Sequence, residues 1–234
     1  MVAVILAAAG KGTRLGFEDA KPFVKLAGRP ILTYSLALFE KISEINSVIL
    51  VVDADKVKEA RVLVSGSGFK KVAQIIPGGA VRQESVSRGL AVIPPETKVV
   101  LVHDAARPLV SQEKVVELIA AGRKMATIPA LPVSDTLKEV KEGRVIRTAD
   151  RSRFYAVQTP QAFPRQVICT AYRKAKESGL PGTDDACLVE SAGFPVQVIA
   201  GERTNIKITY PEDLLIAEAL LHICHSERSE ESNW

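Results

Sequence analysis

Apolar positions along this chain come in blocks. Val2 to Leu6, Ser47 to Val52, Val72 to Ile76 and Lys98 to Val102 are short runs rich in β-branched residues, the pattern of strands buried on both faces of a parallel sheet. Between them apolar residues recur at helical spacing over Ile31 to Lys41, Lys56 to Ser65 and Gln83 to Val92, and Gln112 to Lys124 follows the fourth run. This is a βαβ series, which predicts a largely parallel sheet with right-handed crossovers. The pattern then changes. Ala126 to Leu131 predicts another strand, but Thr136 to Val140 and Arg144 to Thr148, joined through Glu142-Gly143, read as a polar hairpin within an arm spanning about 133–153. So little apolar area cannot hold a hairpin alone, so the arm must lie on something, and a partner subunit is the natural candidate.

Beyond the arm the pattern predicts a strand at Tyr155 to Gln158, helices near Arg165 to Glu177 and Asp184 to Ala192, and a strand at Val196 to Ile199. A short strand around Lys207 and a last helix from Pro211 to Leu221, with Pro in its first turn, complete a single domain over 1–221. From His222 to Trp234 the chain turns polar, and a frayed or disordered tail is expected.

The 234 residues are 47% hydrophobic with a quarter charged, a globular composition. The net charge of +4 is spread without a basic block, which suits small anionic substrates and argues against a nucleic-acid track. No run reaches the ~18 apolar residues of a membrane span, and the apolar start carries no basic leader, so neither membrane nor export is expected. Cys169, Cys187 and Cys224 are odd in number and lack zinc spacing, as reduced thiols of a cytoplasmic protein would be. Metal binding by Cys224 with His222 and His225 is the alternative.

The densest chemical signal lies in the first strand and the loop after it. VAVILAAAGKGTRLG, then Lys21-Pro22-Phe23, delivers a glycine-rich, cationic loop to the end of a buried strand, a place to hold a polyphosphate. It is not a P-loop, because Ile5 stands where the first Gly belongs, nor a dinucleotide fingerprint, because Leu15 occupies the third Gly position. Pro77-Gly78-Gly79 with Arg82, Gln83, Glu84 and Ser85 forms a strand-to-helix junction that could read a base edge, or simply a turn and a cap. His103-Asp104-Ala105-Ala106-Arg107-Pro108 places an acid at a strand's carboxyl end with a cation three residues on, fit for a metal or hydroxyl beside an anion. His103 reads as a satisfied strand-end residue. Asp135-Thr136, Asp150-Arg151 and Thr159-Pro160-Gln161 read as turn and cap residues, and Lys207 alone as a surface lysine. No nucleophile elbow, zinc signature or triad spacing appears, so covalent hydrolysis has little support.

Taken in order, LAAAGKGTRLG with KPF, GGAVRQESV, LVHDAARP, SDTLKEV, TADRSRFYAVQTPQAF, TDDACLVESAG and NIKITYPEDL closely resemble the 2-C-methyl-D-erythritol 4-phosphate cytidylyltransferases of the non-mevalonate isoprenoid pathway, from about Val2 to Leu221. The resemblance implies an α/β fold of the nucleotide-diphospho-sugar transferase type: a Rossmann-like, mostly parallel sheet with a protruding β-hairpin arm. It implies a homodimer whose arms complete each other's sites. By position it makes Arg14 and Lys21 charge-stabilisers at the triphosphate, with Ala8, Ala9, Gly10 and Gly12 shaping the loop. Gly79, Arg82 and Ser85 would face cytosine and ribose. Asp104, Ala105, Arg107, Thr183 and Lys207 would surround the methylerythritol phosphate, joined by Thr136 and Arg151 from the partner. Ala80 stands where some members carry Asp near the base. Mg²⁺ is expected mainly on the CTP phosphates, with no dedicated protein metal site.

Such an enzyme transfers CMP from CTP to the polyol phosphate and releases pyrophosphate. A phosphate monoester has its second pKa at about 6, so the nucleophile is already ionised and the burden is electrostatic. A ribitol-5-phosphate cytidylyltransferase is the nearest alternative, against which Ala105-Ala106 and Asp150-Arg151 speak. A glycosyltransferase would use Asp53-Ala54-Asp55 on a metal, and a non-catalytic nucleotide-binding module would bind without turnover.

Overall fold

The computed structural model describes residues 1–10 and 21–231, with side chains over 1–10 and 22–223. The first half alternates as its pattern predicts: β1 (Val2–Ala8), β2 (Lys25–Leu26), β3 (Arg29–Pro30), α1 (Ile31–Lys41), β4 (Ile45–Val52), α2 (Val57–Ser67), β5 (Val72–Pro77), α3 (Arg82–Ala91), β6 (Val99–Asp104) and α4 (Gln112–Gly122). The second half adds β7 (Ala126–Pro132), the hairpin β8 (Lys138–Lys141) and β9 (Arg144–Thr148), β10 (Tyr155–Val157), β11 (Gln161–Pro164), α5 (Arg165–Ser178), α6 (Asp185–Ser191), β12 (Val196–Ala200) and α7 (Pro211–Glu231).

One sheet organises them in the order β10-β7-β11-β6-β1-β4-β5, with β12 also paired to β7. β1 lies at its centre, parallel to both β4 and β6. Its two parities explain its unbroken apolar sequence. Val2, Val4, Leu6 and Ala8 meet Leu36 and Phe39 of α1 and Leu118 of α4 on one face, while Ala3 and Ile5 meet Val86 of α3, Ile168 of α5 and Leu188 of α6 on the other. Burying a side chain of that size contributes about 1.5–3 kcal/mol, so a polar residue at either parity would be costly. Gly89 lets α3 lie close: a Cβ there would sit 2.7 Å from Ile5 Cγ2.

Four expectations need correcting. β5 is half-exposed rather than buried on both faces, because as the sheet's last strand it has only β4 beside it. Gln161, expected as a turn residue, opens β11, which inserts antiparallel between β6 and β7. Residues 205–209 form no strand; Ile208 N–H instead makes one bond to the Ala106 carbonyl, at 2.8 Å. The last helix does not stop at Leu221 but continues to Glu231, through a stretch without Pro or Gly to break it. Residues 232–234 lie outside the described residues.

The hairpin forms as predicted. Glu142 and Gly143 both take positive φ, 51° and 75°, the primed turn whose twist matches a two-residue β connection. Every residue of β8 and β9 is exposed. Among the described residues no helix is long and apolar enough to cross a membrane.

Candidate active site

Register brings four strand ends level. Ala8 pairs with Val52, Val52 with Pro77, and Ala7 with Asp104. Since β4 and β6 lie on opposite sides of β1 and the intervening helices cover opposite faces, a crevice opens beyond these carboxyl ends, where ligands of open α/β sheets bind. Ala8 is buried, Ala9 half-buried and Gly10 exposed at its floor. Gly12 and Arg14 lie outside the described residues, as does the side chain of Lys21, which opens a short 3-10 turn at Lys21–Phe23.

The need for glycine falls on the neighbouring loop. A Cβ on Gly10 would meet no described atom within 4 Å, whereas one on Gly78 would sit 2.4 Å from Ala9 Cβ and one on Gly79 2.3 Å from Glu84 Cβ. The next helix ties this loop down. Gly79 N–H donates to Ser85 Oγ at 3.0 Å, Ala80 N–H to Glu84 Oε2 at 2.9 Å, and Arg88 to the Gly78 carbonyl at 2.6 Å. Ser85, expected to face the base, is almost wholly buried and also donates to the Val81 carbonyl, so its hydroxyl shapes the loop.

Asp104 is the hub on the other side. Arg82 Nε donates to its Oδ1 at 2.8 Å and Lys207 Nζ to its Oδ2 at 2.7 Å. Burial alone would raise its pKa, but the Arg82 and Lys207 charges outweigh that and hold the carboxyl well below the usual range. Lys207 arrives there because its loop is docked residue by residue. Asn205 Nδ2 donates to the Thr159 carbonyl while Ile206 and Ile208 pack on the cluster beneath α7, leaving Lys207 to face the crevice. Arg107 donates to the carbonyls of Asn205 and Val157, bracing the same loop. Ala105 is fully buried, its N–H on the Ala7 carbonyl.

Beneath the hub His103 is fully buried and bonded at both nitrogens, as its sequence context predicts. Nε2 faces the Arg107 carbonyl and so carries the proton; Nδ1 then accepts from the Thr159 hydroxyl, which in turn accepts the Asp104 N–H. Burial pushes the imidazole pKa down to about 4.

Sequence reasoning missed Asp185 and Tyr172. Arg82 bridges Asp104 to the wholly buried Asp185, with 2.8 Å to Oδ2, and Tyr172 donates to Asp185 Oδ1 at 2.5 Å. The signal was the doubled acid of TDDA: Asp184 caps α6 through the Cys187 N–H, which leaves Asp185 without a capping role. Thr183 is exposed just before this pair. The arm residues Thr136 and Arg151 are exposed and apart from the hub, Arg151 donating to the Ser134 carbonyl within the arm itself. Asp53 accepts from Asp55 N–H at 3.2 Å and caps a 3-10 turn, the structural use of the Asp53-Ala54-Asp55 motif. Cys169 and Cys187 are free.

Comparison with known proteins decides the family. The profile described as 2-C-methyl-D-erythritol 4-phosphate cytidylyltransferase matches residues 2–223. This chain belongs to that family. Proteins of that name from Alkaliphilus metalliredigens and Pelotomaculum thermopropionicum are 43% and 44% identical, each alignment covering 94% of this chain and 93% and 94% of theirs. Among solved structures, the 4-diphosphocytidyl-2C-methyl-D-erythritol synthase of Anaerococcus prevotii matches with TM-score 0.83 and 32% identity over 95% of this chain and 98% of that one. The Thermus thermophilus cytidylyltransferase gives 0.76 and 36% over 94% and 98%. The cytidylyltransferase family match thus spans the crevice, the arm and the Asp104 hub alike.

Proposed function

We propose that this chain transfers the cytidylyl group of CTP to 2-C-methyl-D-erythritol 4-phosphate, releasing pyrophosphate, as a cytoplasmic homodimer in isoprenoid synthesis. The observation that carries the reading is the Arg82–Asp104–Lys207 network at the carboxyl ends of β1 and β6, in a chain matched to the cytidylyltransferases from end to end of the crevice. A phosphate oxygen of the polyol phosphate attacks the α-phosphorus in line, and its ionisation at neutral pH removes the need for a general base. What the protein supplies is placement and positive charge. Arg14 and Lys21 take the triphosphate and the charge that grows on the α-phosphate and leaving pyrophosphate. Lys207 turns from Asp104 to the polyol phosphate, Asp104 accepts polyol hydroxyls, and Ala105 leaves room beside it. Arg107 and Thr183 line the same pocket, while Gly79 and Arg82 hold the nucleoside.

Among the described residues no three His, Cys, Asp or Glu side chains are grouped to hold a metal ion. Such a donor set fits Mg²⁺ carried mainly by the triphosphate oxygens of CTP, with Asp104 the crevice carboxylate that would face it; so held, the ion would offset phosphate charge. The second subunit is supported by the arm. Val140, Val145 and Ile146 are more than half exposed, and Phe154 and Tyr155 nearly so, an apolar surface suited to a second copy that would bring Thr136 and Arg151 to the neighbouring site. The test is a panel of CTP, UTP, ATP and GTP against this polyol phosphate and ribitol 5-phosphate, with Mg²⁺ and pyrophosphate detection. CTP with the methylerythritol substrate gives the fastest release; preference for ribitol 5-phosphate overturns the substrate assignment, and no release with any pair overturns the reaction.

A further inference from the structure

Both Asp104 oxygens are occupied by cations. Each oxygen keeps a further acceptor site, so a ligand hydroxyl can join the carboxylate, while an anionic ligand competes with it for whichever cation is less firmly held. The two cations are differently held. Lys207 reaches Asp104 from a flexible stem with its side chain 42% exposed. Arg82 is 29% exposed and has a second carboxylate: its planar fork puts Nε on Asp104 and an Nη on Asp185, whose side chain is 0% exposed. A buried carboxylate is tolerated only when paired, so Asp185 requires Arg82 to stay even when Asp104 is engaged elsewhere. Tyr172 occupies the other Asp185 oxygen, and burial together with the Asp185 charge holds its hydroxyl pKa well above the usual value, so it remains a donor. Gln83, one residue along α3, adds a second clasp, accepting the Gly182 N–H and donating to the Leu180 carbonyl.

We infer that Asp185, backed by Tyr172, is a positioning residue of the transfer reaction, fixing Arg82 on the nucleotide side while Lys207 is the cation that leaves Asp104 for substrate. This rests on the cytidylyl-transfer reading. It divides the hub's cations into one that is held and one that is free to move, a division set by the carboxylate behind Arg82.

The test uses the full chain as wild type, Asp185→Asn, Asp185→Glu, Tyr172→Phe, Arg82→Gln and the Asp185→Asn/Arg82→Gln double variant. Steady-state kinetics in both substrates are paired with calorimetric binding of CTP and Mg²⁺, which needs no turnover. Asp185→Asn is expected to raise KM and Kd for CTP about tenfold and Tyr172→Phe about threefold, the scale of one charge-assisted bond, with KM for the polyol phosphate changed less than about twofold. Asp185→Glu keeps the charge and stays close to wild type, and the double variant is no weaker than Arg82→Gln alone. A role confined to joining α3 to α6 would instead lower Tm and leave both constants unchanged. Unchanged constants in folded Asp185→Asn, or in Tyr172→Phe should the former not fold, overturn the inference, as do additive losses in the double variant. If the wild-type chain turns over normally in that case, only the inference falls; if it neither binds CTP nor releases pyrophosphate, the transfer reading falls and takes the inference with it.

Discussion

At the carboxyl end of β6 the carboxylates are buried and matched within one chain: Asp104 and Asp185 share Arg82, and the more exposed Lys207 completes the set. In the arm the charges are exposed and local. Arg147 pairs with Glu139 across the hairpin with both side chains about half exposed or more, an arrangement worth at most about 1 kcal/mol. The hub is therefore built before any ligand arrives, whereas the arm has a defined turn and register but nothing beneath it. One region carries its own packing; the other presents apolar residues that call for a second surface. In the proposed dimer, Arg151 on the unsupported region would make catalysis depend on assembly.

The largest expected effect belongs to Arg14 and Lys21, the cations proposed to take the triphosphate. Arg14→Ala and Lys21→Ala should each lower kcat/KM on the order of 100-fold with the fold intact by circular dichroism, since each removes a preorganised charge from the transition state. Near-normal turnover in either folded variant would shift the electrostatic burden to the hub. A smaller effect tests the division itself. Asp104→Ala and Arg151→Ala, each inactive alone, should together recover roughly a quarter of wild-type activity after subunit exchange, because half the dimers mix and one site in two is intact. A monomeric wild type by light scattering, or exchanged mixtures that stay inactive, would place Arg151 outside the partner's site.

The smallest effect concerns the buried base of the hub. The fold lowers the His103 pKa from 6.5 to about 4, chiefly by burial. The unfolded chain then binds the extra proton first as pH falls, so the stability due to His103 is complete above the unfolded value and is lost as pH drops from 6.5 towards 4. Asp104 is held below the carboxylate range, so its contribution persists lower still. Scanning calorimetry should show Tm falling across that window in the wild type and a flatter profile in His103→Asn. Parallel profiles would show that the imidazole is not what titrates.

The βαβ half was legible because β1, β4 and β6 are apolar at both parities, a pattern few other structures produce. β11 was not, since its four residues are bounded by Pro160 and Pro164 and carry Gln161 inside the sheet. Alternating Ile206, Lys207 and Ile208 imitates a strand, yet the alternation arises from docking onto the Ala106 carbonyl and the cluster under α7. Asp104 and Arg107 stood out by their place at the carboxyl end of an apolar strand, whereas Lys207 was singled out only by the family resemblance. Asp185 escaped because its partner lies 103 residues away on α3, a distance no local pattern can register.

The crowding at Gly78 has a consequence for how this sequence can diverge. A methyl group there would fall 2.4 Å from Ala9 Cβ and 2.7 Å from Ser85 Oγ, so residues on three separate segments share one allotment of volume. Substitutions that enlarge any of them are admissible only when another shrinks. Positions 9, 78 and 85 should accordingly vary together among relatives, an imprint of shape left in the historical record.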